Sequence, residues 1–246
     1  GGATVSRYEN GALQDLAHDK MLHLLQEPRN LLKLIEDNPS VIPEAKRKEL
    51  QQSIEMEIDE EQGDIRDWFD ALSGLYPPDH LSGHRDLNAQ KIHNAILFFA
   101  SGDGALKTKL NKLLFYADFL HFKEYSTSIT GARYVHLTYG PILDNYEFYI
   151  ASMVHGSESI RIEEREFGDH LGEVLVSNTS PDIGIFEASE IKVMAQVKEH
   201  FANYSASEIS RKSHYERGYV ETEDLELISY EYASDIELGK EGDFNV

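Results

Sequence analysis

Asp79, His80, His84 and Asp86 place two imidazoles and two carboxylates within eight residues, a donor set that a divalent transition metal accepts. Pro77, Pro78 and Gly83 interrupt that segment, so a shared helical face is not expected and a solvated loop without metal is the reading adopted. Ser213-His214 sets a hydroxyl beside an imidazole; at the end of a short helical stretch it reads as a cap or a local hydrogen bond, not a nucleophile with its base. Gly102-Asp103-Gly104-Ala105-Leu106-Lys107-Thr108 lacks the glycine spacing and the preceding hydrophobic strand of a phosphate loop, and reads as a helix–helix connection. The chain has no Cys, no Gly-x-Ser-x-Gly elbow and no His-Glu-x-x-His pair. His121, His136 and His155 are scattered, each more simply a half-buried polar residue. No catalytic residue, metal or cofactor is expected, and the chain reads as a binding protein instead of an enzyme.

Two other segments carry residues suited to binding. In Gly1-Gly2-Ala3-Thr4-Val5-Ser6-Arg7-Tyr8-Glu9-Asn10-Gly11 the glycines make a turn and Thr4 can cap a short helix. Thr4, Ser6 and Arg7 then stand in the first turns, where base edges and phosphates are reached, and Asn10-Gly11 closes the helix. An ordinary capped surface helix fits the same residues. Further on, Leu110, Leu113, Leu114 and Ala117 recur at the spacing of a buried helical face. Lys112, Phe115 and Tyr116 fall on the other faces, where they are contact candidates or packed side chains. Tyr139-Gly140-Pro141 is a turn, with proline fixing one backbone angle and glycine freeing the next.

The elements that must position these residues predict a mainly helical α+β chain. Residues 1–40 read as short helices, with Leu16, Met21, Leu24 and Leu25 before Pro28 and Leu31, Leu32, Leu34 and Ile35 after it. Residues 41–86 read as a charged helix over 43–62 followed by a Pro- and Gly-containing loop. Residues 87–246 read as a domain with two strong amphipathic helices, one through Ile92, Ala95, Ile96 and Phe99 and one from Leu106 to Leu120. A strand over Arg133–Thr138 and a helix over Asp144–Val154 come next. A hairpin of Ser159–Ile162 with Glu173–Val176, joined through Gly168 and Asp169, then gives a small antiparallel sheet. Helices over Glu187–Phe201 and Ser207–Lys212 lead into an acidic tail.

Of 246 residues, 23 are Lys or Arg and 44 Asp or Glu, a net charge of −21 that disfavours broad contact with nucleic acid or membrane. Residues 1–38 hold only −2 of that charge, so −19 belongs to the rest, which suggests different partners for the two parts. No apolar run is long enough for a transmembrane helix and no signal pattern opens the chain, so no membrane partner and a cytoplasmic location are expected.

Thr4-Val5-Ser6-Arg7-Tyr8-Glu9-Asn10-Gly11 resembles the recognition helix of xenobiotic-response-element-type helix-turn-helix proteins, in the variant of MqsA-type antitoxins where Gly-Gly precedes the helix. The resemblance implies operator contacts by Thr4, Ser6, Arg7 and Asn10. Only the end of such a domain is expected here, a truncated helix-turn-helix, so operator binding would require the complete one. Lys109-Leu110-Asn111-Lys112-Leu113-Leu114-Phe115-Tyr116-Ala117-Asp118, Tyr139-Gly140-Pro141 and Ser207-Glu208-Ile209-Ser210-Arg211-Lys212-Ser213-His214 resemble, in order and spacing, the Panacea domain, the SocA-like or GepA-like domain of prophage-associated proteins and antitoxins. Tyr219 stands where a Trp is usual. The likeness spans roughly residues 87–238 and implies a helical domain that neutralises a cognate protein toxin by binding it. Lys112, Phe115, Tyr116, Tyr139, Gly140, Pro141 and His214 would lie at the toxin, with autorepression of the operon by the full-length protein. A prophage-associated transcription regulator or a protease adaptor is the alternative, and a homodimer is left open.

Overall fold

The leucine spacing between residues 110 and 120 belongs to one 19-residue helix around which the rest of its unit packs, while Leu106 lies just before it. The computed structural model describes residues 77–167 and 170–238, with scattered positions between 31 and 54. Two compact units divide the chain, Gly1–Asp67 and Trp68–Val246. In the first, the described positions between 44 and 54 are helical, Ile35 and Ile54 are buried, and Glu44 pairs with Lys48 one turn on. The expected recognition helix with Thr4, Ser6, Arg7 and Asn10 lies outside the described residues, as does the Gly168-Asp169 turn.

The second unit is α+β and mainly helical. Asn88 caps helix α1 (Ala89–Ala100) by accepting from the Lys91 amide. The connection that follows is more than a loop: Gly104, at φ +85°, lets the chain pass against the Leu175 carbonyl, and strand β1 (Ala105–Leu106) pairs there before α2 (Lys107–Tyr125) begins. The strand expected over Arg133–Thr138 is shorter, with β2 (Tyr134–Val135) pairing antiparallel with β3 (Ile142–Leu143) across the Tyr139-Gly140-Pro141 turn. Helix α3 (Tyr146–Ala151) widens into a π-helical turn over Ser152–Gly156. Strands β4 (Ile160–Phe167) and β5 (His170–Ser177) run further than their apolar cores suggested, and β5 is the centre of a three-stranded antiparallel sheet ordered β1-β5-β4. Helix α4 (Ala188–His200) opens on a capping box of Glu187 with Glu190, and α5 (Ala206–His214) on one of Ser205 with Glu208. Helix α6 (Arg217–Val220) and a 3-10 turn (Tyr230–Asp235) complete the unit.

Helix α2 is buried without interruption from Leu110 to His121. Leu110, Leu113, Leu114 and Ala117 form the expected apolar face, and Phe115 and Phe119 extend the core around the axis. Phe119 stacks on Tyr230 at 4.2 Å between centroids, and Tyr134 meets Phe115 edge-on. Fully burying one such ring contributes on the order of 2–3 kcal/mol. The stretch read as a tail therefore supplies core: Ile228, Tyr230, Ala233 and Ile236 are all buried. The polar residues of α2 are satisfied inside the unit. Asp118, fully enclosed, accepts from the Ile129 and Thr130 amides, the Thr130 hydroxyl and the Tyr134 hydroxyl at 2.6–2.9 Å.

Residues 79–86 are tied down by specific bonds. The Asp79 carboxylate accepts from the Leu81 and Ser82 amides and pairs with Arg133 at 2.8 Å. Arg85 and Lys91 both reach the buried Glu190, at 2.6 and 2.7 Å. Among the described residues no helix is long and apolar enough to cross a membrane.

Candidate functional site

The three motif segments converge at one end of α2. Lys112 and Tyr116, one turn apart, point toward the segment from Ser210 to Glu216, and the Tyr139-Gly140-Pro141 turn closes over Lys112. The Lys112 amine donates to the Pro141 carbonyl at 2.7 Å, and burial brings its pKa down to about 7. Gly140 makes this closure possible. It sits at φ +93°, and a Cβ there would collide with Ser213 Oγ, lie 2.8 Å from Lys112 Cε and 3.2 Å from His214 Cδ2. One further bond holds the turn to α5, from Ser210 Oγ to the Tyr139 carbonyl at 2.8 Å, while within α5 Ser213 Oγ donates to the Ser210 carbonyl at 2.7 Å. The Ser213 hydroxyl is thus engaged within its own helix.

One turn along α2, the Tyr116 hydroxyl donates to Glu216 at 2.9 Å. Lys212 donates to the same carboxylate oxygen at 3.1 Å and to the Glu237 carbonyl at 2.9 Å, its ammonium 5.5 Å from the Tyr116 ring centre. Burial, then the Glu216 charge, holds the Tyr116 hydroxyl well above its ordinary pKa, so it is a permanent donor. Glu216 is buried, which removes it from the acidic surface that a count of tail carboxylates suggests.

Outside this layer three rings are stacked. Tyr219 lies between His136, 3.7 Å away, and His214, 4.7 Å away, with interplanar angles of 24° and 19°. The Tyr219 hydroxyl donates to the Leu137 carbonyl at 2.9 Å. His136 Nδ1 and His214 Nε2 are buried without a hydrogen-bond partner among the described residues. Burial, then the Lys112 charge and His136, depress the His214 pKa and favour the neutral form of that ring. Tyr139 stands 76% exposed above it. Exposed Tyr215 and Val220 directly follow His214 and Tyr219 in sequence, and exposed Leu225, at φ +68°, donates its amide to the His136 carbonyl.

The residues singled out from sequence thus occupy two levels. Lys112, Phe115, Tyr116, Gly140 and Pro141 are buried, His214 is half-buried, and Tyr139 is at the surface. Glu216, Ser210 and His136 were missed. The four-residue spacing from Lys212 to Glu216 was a signal for the first, and nothing local marked His136. Among the described residues no three His, Asp or Glu side chains gather as a metal site. What the arrangement offers is a rigid platform with an aromatic and aliphatic surface.

The same segment decides the comparison with known families. Residues 110–218 match the model of the antitoxin SocA-like, Panacea domain. The match opens within α2, takes in strands β2 to β5 and helices α3 to α5, and ends just before Tyr219. It covers under half of the chain and does not reach the expected helix-turn-helix. No curated protein and no solved structure matches the chain. The Panacea match suggests an antitoxin role, which in general implies a toxin partner.

Proposed function

We propose that this chain is a cytoplasmic antitoxin that neutralises a cognate protein toxin by holding it on the surface around Tyr139. The observation that carries the reading is the convergence, inside the Panacea match, of all three motif segments beneath one strongly exposed aromatic residue. Exposed aromatic anchors over a rigid, desolvated base are what give an interface its slow dissociation. Lys112, Tyr116, Gly140 and Pro141 then act from below, fixing the turn, while Tyr139, the edge of His214 and neighbours such as Leu225 make the contact. Glu221, Glu223, Asp224 and Glu226 lie in the segment that carries Leu225, a charge pattern suited to steering a basic toxin. The role needs shape and charge, with no catalytic step.

Co-expression with the product of an adjacent toxic reading frame tests this. Tyr139→Ala is expected to abolish protection while the purified protein keeps its unfolding midpoint; full protection by this variant refutes the surface. In the same reading the full-length protein represses its own operon through Thr4, Ser6, Arg7 and Asn10. Arg7→Ala is expected to weaken operator binding by about 1–3 kcal/mol in a mobility-shift titration.

A further inference from the structure

Away from that surface, a cavity of about 470 Å³ opens between the C-terminal ends of α1 and α4, strand β1 and the end of β4. Its size is that of a small-molecule site. Phe99, Leu113, Val174 and Phe201 give it an apolar floor, and each of these side chains is buried in the core. Three basic side chains, Lys109, Lys198 and Arg165, line the same cavity in a chain whose net charge is −21.

These cations are held in an unusual way. Lys109 donates to the Ala202 and Tyr204 carbonyls at 3.2 and 2.7 Å, and Lys198 to the Phe98 carbonyl and Ser101 Oγ at 2.6 and 2.7 Å. Lys198 thereby closes the end of α1 and Lys109 the turn after α4, each through two of its three N–H donors, with the Lys198 ammonium also 4.9 Å from the Phe98 ring centre. Neither forms an ion pair among the described residues, although Glu208 acts on Lys109 at longer range. Burial lowers the pKa of both amines, the mark of cations that have lost water without gaining a counter-ion. Arg165 is different, being paired with Glu163 at 2.7 Å and bonded to the Asp103 carbonyl. The N-terminus of α5 at the rim is already capped by Ser205 and Glu208, so a ligand's charge falls to the two lysines.

We propose that this cavity binds a small amphipathic anion, a carboxylate or phosphate monoester on an acyl or aryl body. The anionic head takes the spare donors of Lys109 and Lys198, and the apolar body lies on Phe99, Leu113 and Phe201. The site is separate from the surface around Tyr139, so it stands whether or not that surface holds a toxin.

Titration calorimetry on the full chain tests the proposal, with octanoate and phenyl phosphate as probes and acetate, inorganic phosphate and 1-octanol as controls. One of the two probes is expected to bind saturably at one site, at least tenfold more tightly than every control. Lys198→Met is expected to weaken that probe at least tenfold. Because Lys198 also closes a helix, amide shift mapping of the unaltered protein provides the second measurement, with shifts expected at Gly104, Ala105 and Ser205. No saturation by either probe, equal binding of acetate or inorganic phosphate, unchanged affinity in a folded Lys198→Met variant, or shifts confined elsewhere each overturns it.

Discussion

Lys112 and Pro141 meet through one 2.7 Å hydrogen bond, amine to carbonyl, with no carboxylate beside the amine among the described residues. The folded chain holds this amine at about pKa 7, against 10.5 for an unhindered lysine. Between those values the unfolded chain binds more protons, so this residue makes stability rise with pH from about 7 to 10.5. The contribution is bounded at about 5 kcal/mol. Denaturant unfolding of the wild type and Lys112→Met at pH 7, 8.5 and 10 is expected to show the difference between them growing with pH. A constant difference would refute the assignment.

His93 has the same sign in a lower window. It bonds Ser152 Oγ through Nε2 at 3.0 Å, and burial lowers its pKa from 6.5 to about 4. The unfolded chain takes up the proton first on acidification, so stability is lost as pH falls from 6.5 to 4, by up to about 3 kcal/mol. His93→Gln should remove that part of the acid dependence in thermal melts at pH 4, 5 and 7.

Asp118 organises the loop after α2, since its two oxygens accept four bonds from Ile129, Thr130 and Tyr134. Asp118→Ala would orphan two buried amides and the Tyr134 hydroxyl. A loss of about 3 kcal/mol or more is expected in urea unfolding. A loss under 1 kcal/mol would mean the loop finds other partners.

Gly140→Ala separates shape from contact. The left-handed backbone and the meeting with Ser213 Oγ and Lys112 Cε predict a cost of about 1–3 kcal/mol and a displaced turn. Protection from toxin should fall even though Tyr139 is retained. Tyr139→Ala, on an exposed side chain, should change stability by no more than about 0.5 kcal/mol and still lose protection. Paired melting curves and co-expression assays check both.

The periodicity of Leu110, Leu113, Leu114 and Ala117 made α2 readable, and the alternation through Ile160, Ile162, Val174 and Val176 did the same for the β4–β5 hairpin. The burial of the opposite face of α2 was not readable. Asn111, Lys112, Asp118 and His121 look like a solvated stripe because their partners, such as the Leu143 amide, the Pro141 carbonyl and the Thr127 carbonyl, are set by tertiary structure. Glu216 misled for the same reason, its charge spoken for by Lys212 and Tyr116. At the candidate site, the motif segments were readable but the layering of their residues was not. That most of them support Tyr139 from beneath depends on Gly140 meeting Ser213, a contact between residues over seventy positions apart. Strand β1, two residues long, leaves no pattern to read.

Tyr230 stacks on Phe119, donates its hydroxyl to the Ala132 carbonyl and its amide to the His80 carbonyl, joining the beginning, middle and end of its unit. A ribosome delivers those parts in sequence, with Tyr230 more than a hundred residues behind Phe119. Until it emerges, α2 has one aromatic flank uncovered, and the nascent chain presents apolar surface to chaperones and proteases. Closure of the core therefore waits for the synthesis of Tyr230, whatever has already folded around α2.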